Sequence, residues 1–109
     1  MTRTPDSVLV EIHGLRGELM RGPDVIRDLE VAAERAEFAH QLALDKALMQ
    51  AVGNVEERKA AARLSAADVA DAGFIARAEF NRARAKVRGL ESSLMTLQAE
   101  LKWMREAGA

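Results

Sequence analysis

The sequence predicts an all-α protein: a long antiparallel helical hairpin of coiled-coil type, with a kinked N-terminal arm, that oligomerises into a helical bundle. Three observations predict it. The C-terminal half carries an apolar track at alternating four- and three-residue steps: Ala62, Ala66, Val69, Gly73, Ala76, Phe80, Ala83, Val87, Leu90, Leu94, Leu97, Leu101 and Met104. That is the a/d stripe of a coiled-coil helix. The N-terminal half carries a second such track: Val8, Ile12, Leu15, Leu19, Gly22, Ile26, Leu29, Ala33, Ala36, His40, Ala43 and Ala47, with His40 its only polar member. Third, the midpoint between the tracks falls at Gly53-Asn54, the strongest turn dipeptide between two helical patterns. Folded there, Leu101 meets Val8, Leu90 meets Leu19, Phe80 meets Leu29 and Ala62 meets Ala47. About forty residues of helix span about 60 Å, which makes the expected body long and thin.

Composition agrees with this class. The 109 residues make one domain, 1–109, with helices at about 5–21, 24–51 and 55–106 and a turn at 53–54. Aromatic residues make up 4% and there are two Pro, so long helices are favoured over sheet. The formal charge of −1 excludes a polycation that must bind nucleic acid or anionic membrane. The absence of Cys removes disulfides, thiol catalysis and Cys-based zinc sites. No apolar run reaches the roughly 18 residues of a membrane span, and none resembles a signal peptide. The expected location is the cytoplasm, that of the host cell if the gene is carried by a phage.

Taken in order, Met1 to Arg3 are expected to be loose. Thr4-Pro5-Asp6 starts the first helix: Thr caps, Pro suits the first turn, and Asp6 and Glu11 favour the positive helix end. Gly14 and Gly17 each cost about 1 kcal/mol relative to Ala, so packing rather than propensity holds this arm. Gly22-Pro23-Asp24 breaks or kinks it, because Pro23 has no amide proton and clashes with the preceding turn. The heptad count survives the break, which places both pieces along one partner helix. Asn54-Val55-Glu56-Glu57 restarts the helix, with Asn54 as cap and Glu57 at the capping-box position. Ser65 offers a second cap, which leaves two arrangements for 55–64: the first turns of one long helix, or a short helix of its own. Gly73 lies on the seam, where its missing side chain allows close approach to Ala36. Ala107-Gly108-Ala109 is expected to fray.

The second helix carries another apolar set, Val31, Phe38, Leu42, Met49 and Val52, on the face opposite the seam. The seam there is mostly Ala against Ala or Gly. Fully burying a Leu or Phe contributes about 1.5–3 kcal/mol, and an Ala rung far less. The five outer residues are therefore the candidate oligomer interface.

Catalytic and metal chemistry find no support. His13 and His40 lack the i, i+4 partner of a helical zinc motif. Glu34 with Glu37, and Glu56 with Glu57, lack the inward-facing His and carboxylate pairs of a helical metal site. No Gly-rich phosphate loop or nucleophile elbow is present, and Ser92-Ser93 has no nearby base. The expectation is a non-enzyme with no cofactor, no metal and no small-molecule substrate. The sharpest feature is basic. Arg77, Arg82, Arg84, Lys86 and Arg88 lie within twelve residues, opposed there only by Glu79. Glu30 and Glu37 take e positions, as do Arg77 and Arg84, and e faces e in an antiparallel pair, so part of this basicity fixes register. Arg82, Lys86 and Arg88, with Arg58, Lys59 and Arg63 near the turn, are the candidate phosphate contacts. Exposed aromatics for base stacking are missing among them, and Trp103 flanks the Leu stripe.

The stretch Asn54-Val55-Glu56-Glu57-Arg58-Lys59-Ala60, the Ala/Arg helix after it, and the run from Leu90 to Lys102 resemble small helical proteins of bacteriophages. Their nearest functional relatives are the UvsY-like recombination mediators. That resemblance covers roughly residues 24–105. It implies a small oligomeric helical protein that binds single-stranded DNA and helps load a recombinase. The Lys/Arg-rich DNA-binding motif of that family has no clean counterpart, since Arg58-Lys59 follows Glu56-Glu57, and no functional residue carries across. Two function classes follow: an oligomeric accessory of phage DNA recombination or replication that binds single-stranded DNA or a recombinase, and a protein-only coiled-coil adaptor or inhibitor that docks a partner through the outer stripe. The first expects the candidate cations to converge on one face. The second expects them paired or scattered.

Overall fold

The computed structural model describes residues 3–108; Met1, Thr2 and Ala109, for which looseness was expected, lie outside this range. The chain is all-α. It forms α1 (Pro5–Gln50), α2 (Val55–Ser65) and α3 (Ala67–Gly108), with no strand among the described residues.

Local chemistry explains the helix starts. The Ser7 amide donates to Thr4 Oγ1 (3.1 Å) and the Thr4 amide donates to Ser7 Oγ (3.0 Å). This is a capping box with Ser in the place usually held by Glu, and Pro5 fills the first helical position. At α2 the Glu57 amide donates to Asn54 Oδ1 (2.9 Å), while Asn54 Nδ2 donates to Glu57 Oε1 (2.9 Å). Gly53 has φ +123°, the one positive φ among the described residues, where a side chain would be strained.

Several expectations need adjustment. The break at Gly22-Pro23 is absent: α1 runs through Pro23 as a single helix of 46 residues. Pro23 removes one amide hydrogen bond. The apolar period continues on both sides of it, and Gly22 is buried against its neighbours, so packing overrides the local penalty. Of the two arrangements left open for 55–64, the structure has the short separate helix: the division falls at Ala66, whose φ of −97° and ψ of 8° separate α2 from α3. The interruption is slight. The Ala66 amide still donates to Ala62 O (3.0 Å), and the Ala70 amide to Ala66 O (2.9 Å). Ser65 ends α2 rather than capping α3. Arg3, expected to be loose, holds ion pairs with Glu100 (2.6 Å) and Glu11 (3.3 Å). The third helix also continues to Gly108 instead of fraying at Ala107.

Contacts divide the chain into two compact units, both drawing on α1 and α3. The first combines the residues up to Ile26 with those from Arg82 onward. Its core is Val8, Ile12 and Leu101, all buried, with Leu9, Leu94, Leu97 and Met104 packed against them. Gly22 belongs to this unit, and a Cβ there would lie 3.2 Å from Val87 Cγ2, so its missing side chain admits Val87. The second unit is Arg27–Asn81. Its buried residues are Ala33, Ala62, Ala66, Gly73 and Phe80. Gly73 faces the Ala36 backbone as expected, yet a Cβ would sit 3.8 Å from Ala36 O, an ordinary contact. Every position on the two 4-3 tracks is buried or half-buried, His40 included.

Candidate interaction surfaces

The second unit has an inverted distribution of large side chains. Phe80 is its one large buried residue beside small Ala and Gly, because the 4-3 track passes mainly through Ala in this segment. Val31, Phe38, Leu42 and Met49 on the outer face of α1, and Val52 just past its end, are all exposed, from 37% at Val31 to 91% at Val52. Leu48 is borderline beside them at 36%. The five expected interface residues are therefore uncovered by this chain's own described residues. Leu64, Phe74 and Ile75, on α2 and α3 of the same unit, are also exposed. The sequence reading missed these three because they recur at no helical period; the adjacent Phe74-Ile75 pair outside the track was the available signal.

The candidate cations do not behave alike. Arg58 is half-buried, and its Nη2 donates to Leu48 O (3.1 Å), a carbonyl in the last turn of α1. That turn contains no basic residue of its own, so Arg58 meets the negative end of the helix from α2. Arg58 Nε is buried without a partner. Lys59 and Arg63, on the same helix, are exposed. Arg82, Lys86 and Arg88 are exposed in the first unit. At about 100° per residue, Arg82 and Lys86 share one side of α3, while Arg88 is turned about 160° from Lys86. Lys86 lines a shallow groove with Arg21, Gly22 and Val87, but Glu18 lines it too and offsets the positive charge. Trp103 is exposed in this unit as well.

Arg77 serves the fold in the way its e position suggested. Its Nε donates to Glu37 Oε1 (2.7 Å) and its Nη2 to Glu37 Oε2 (2.8 Å), a two-pronged pair across the second unit. These bonds hold the Glu37 carboxyl below the usual carboxylate range and raise the Arg77 guanidinium further above its own. The guanidinium also lies 5.3 Å from the centre of the Phe80 ring. Among the described residues, no three His, Asp or Glu side chains come close enough to share a metal ion. No helix is long and apolar enough to cross a membrane. Compared with family models, curated proteins and solved structures, the chain matches none.

Proposed function

We propose that the chain is a non-enzymatic protein-docking module of the cytoplasm: an antiparallel coiled-coil hairpin that presents the outer track of α1 to another helix. The observation that carries this reading is the exposure of Val31, Phe38, Leu42, Met49 and Val52 above a seam of small residues. Contiguous exposed apolar surface of this kind marks interaction sites, and an amphipathic helix face is a standard docking surface for another helix. The track lies on a helix already ordered by its own seam, so docking need only order side chains.

Light scattering after size exclusion tests it, using the full chain and the Phe38→Glu variant. Association that is lost in the variant, with helicity by circular dichroism unchanged, is the expected result. Association untouched by Phe38→Glu would overturn the reading.

A second reading, an accessory of phage recombination or replication binding single-stranded DNA or a recombinase, is favoured by one observation. Lys59, Arg63, Arg82, Lys86 and Arg88 are exposed. The engagement of Arg58 at the end of α1 and the orientation of Arg88 away from Lys86 weigh against a continuous phosphate track. Binding of a labelled oligo-dT strand that weakens as salt rises and is lost on Arg82→Glu/Lys86→Glu would favour it. Indifference to the strand at low salt would remove it.

A further inference from the structure

The outer face of α1 has a finer pattern than its five apolar residues. Stepped by four and three from Val31, it reads Val31, Arg35, Phe38, Leu42, Asp45, Met49. This is a second heptad track, interrupted twice by charge of opposite sign. Both interruptions are exposed. Asp45 accepts a hydrogen bond from Gln41 Nε2 of its own helix (3.0 Å). Arg35 has no ion pair among the described residues. Ten residues apart on one helix, Arg35 and Asp45 lie about 15 Å apart along the axis, too far to pair with each other.

From this pattern we infer that the track binds a second copy of the same chain, antiparallel and across a two-fold axis at the level of His40, with Arg35 of each copy paired to Asp45 of the other. The inference rests on the docking reading above and names its partner. In the antiparallel register where paired residue numbers sum to about 80, Val31 meets Met49, Phe38 meets Leu42, and Arg35 meets Asp45, each rung occurring twice. From Val31 to Met49 every apolar residue of the track then faces an apolar one and every charge its opposite. Sliding by one heptad loses this. One direction sets Arg35 against Val52 and Asp45 against Leu42; the other sets Arg35 against Phe38 and Asp45 against Asp28. A parallel pair sets Arg35 on Arg35 and Asp45 on Asp45. Charges placed in this way specify register and orientation more than they add affinity. The flanks agree: Ala39 faces Ala39 and Gln41 faces Gln41 near the axis. Val52, just past the end of α1, falls opposite Asp28 in this register, a mismatched rung at each end of the contact. A two-fold contact of this kind is isologous and closes on itself.

Charge reversal tests the pairing. Arg35→Glu creates two acid–acid rungs in its homodimer, and Asp45→Arg creates two Arg–Arg rungs. Each variant alone should weaken self-association by about tenfold or more. An equimolar mixture should recover it, because the mixed dimer has one Glu–Arg rung and one Asp–Arg rung. The double variant should recover it as well. Because the chain has no native Cys, Val31→Cys and Met49→Cys offer a separate measurement. The mixture of the two should form disulfide-linked dimers under mild oxidation, and neither alone should do so efficiently. A dimer lost in Phe38→Glu but indifferent to both charge reversals would overturn this register and leave the docking reading standing. A chain monomeric at about 100 µM would overturn self-pairing and leave the track to a foreign helix. A dimer intact in Phe38→Glu would overturn both.

Discussion

The three Phe residues of this chain form an internal experiment on what holds the second unit together. Phe80 is 5% exposed, while Phe74, six residues earlier on the same helix, is 73% exposed and Phe38 on α1 is 70% exposed. Truncating a buried Phe to Ala costs about 3–5 kcal/mol, from lost transfer energy and the cavity left behind. The lower half of that range applies here, about 3 kcal/mol, because the seam of this unit is built mainly of small residues and can close partly onto the gap. A chain of this size is stable by only about 5–15 kcal/mol in total, so Phe80→Ala should remove a large fraction of its stability. Phe74→Ala should change it by less than about 0.5 kcal/mol. Urea unfolding followed by circular dichroism, at a concentration low enough for self-association to be absent, measures both. Equal losses for Phe74→Ala and Phe80→Ala would refute the division between seam and outer face on which the docking surface rests.

Other perturbations report on other parts of the fold. Leu94→Asp places a charge against the Val8–Ile12–Leu101 core and should lower the melting temperature sharply, whereas Gln98→Asp, at an exposed position of the same helix, should leave it nearly unchanged. Gly14→Ala and Gly89→Ala meet nothing within 4 Å and should each stabilise by about 0.5–1 kcal/mol in urea unfolding; Gly22→Ala meets Val87 Cγ2 at 3.2 Å and should gain less or lose. Acid titration should expose the Glu37–Arg77 pair. Its folded carboxyl pKa is lowered, so the stability it contributes is present above the ordinary Glu range and is lost as pH falls through the lowered folded value. Glu37→Gln should remove that part of the acid sensitivity, read as a flatter dependence of melting temperature on pH below about 4.

What the sequence made legible was whatever repeats locally. The two seams are period-3.5 patterns written into consecutive residues, and each of their positions is at least half-buried. The Asn54 cap and the Gly53 turn follow from backbone geometry that few residue types satisfy. The continuity of α1 through Pro23 is not legible locally, because the proline penalty is local while the packing that outweighs it, Gly22 against Val87 among other contacts, joins residues distant in sequence. Arg58 is hard to read for a related reason. Beside Lys59 it reads as half of a basic pair, and only the position of α2 beside the last turn of α1 converts it into a helix-end ligand. The division at Ala66 has no comparable explanation in the side chains around it.

The outer track obeys the same local rule as the seams, and for that reason its residues stand out in the sequence alone. Its two charges are the informative part. A seam that merely excluded water could carry apolar residues in place of Arg35 and Asp45 without losing affinity, since a charge pair at an interface roughly breaks even against hydrophobic isosteres. In the proposed dimer, Arg35 and Asp45 reject the parallel orientation and the neighbouring registers. The inner seam of the second unit divides its labour in the same way: small residues allow the helices to approach, and Glu37 with Arg77, at the edge, fixes how they align. If the outer track pairs as proposed, apolar residues set the period of contact on both faces of α1 and an acid–base pair sets its direction.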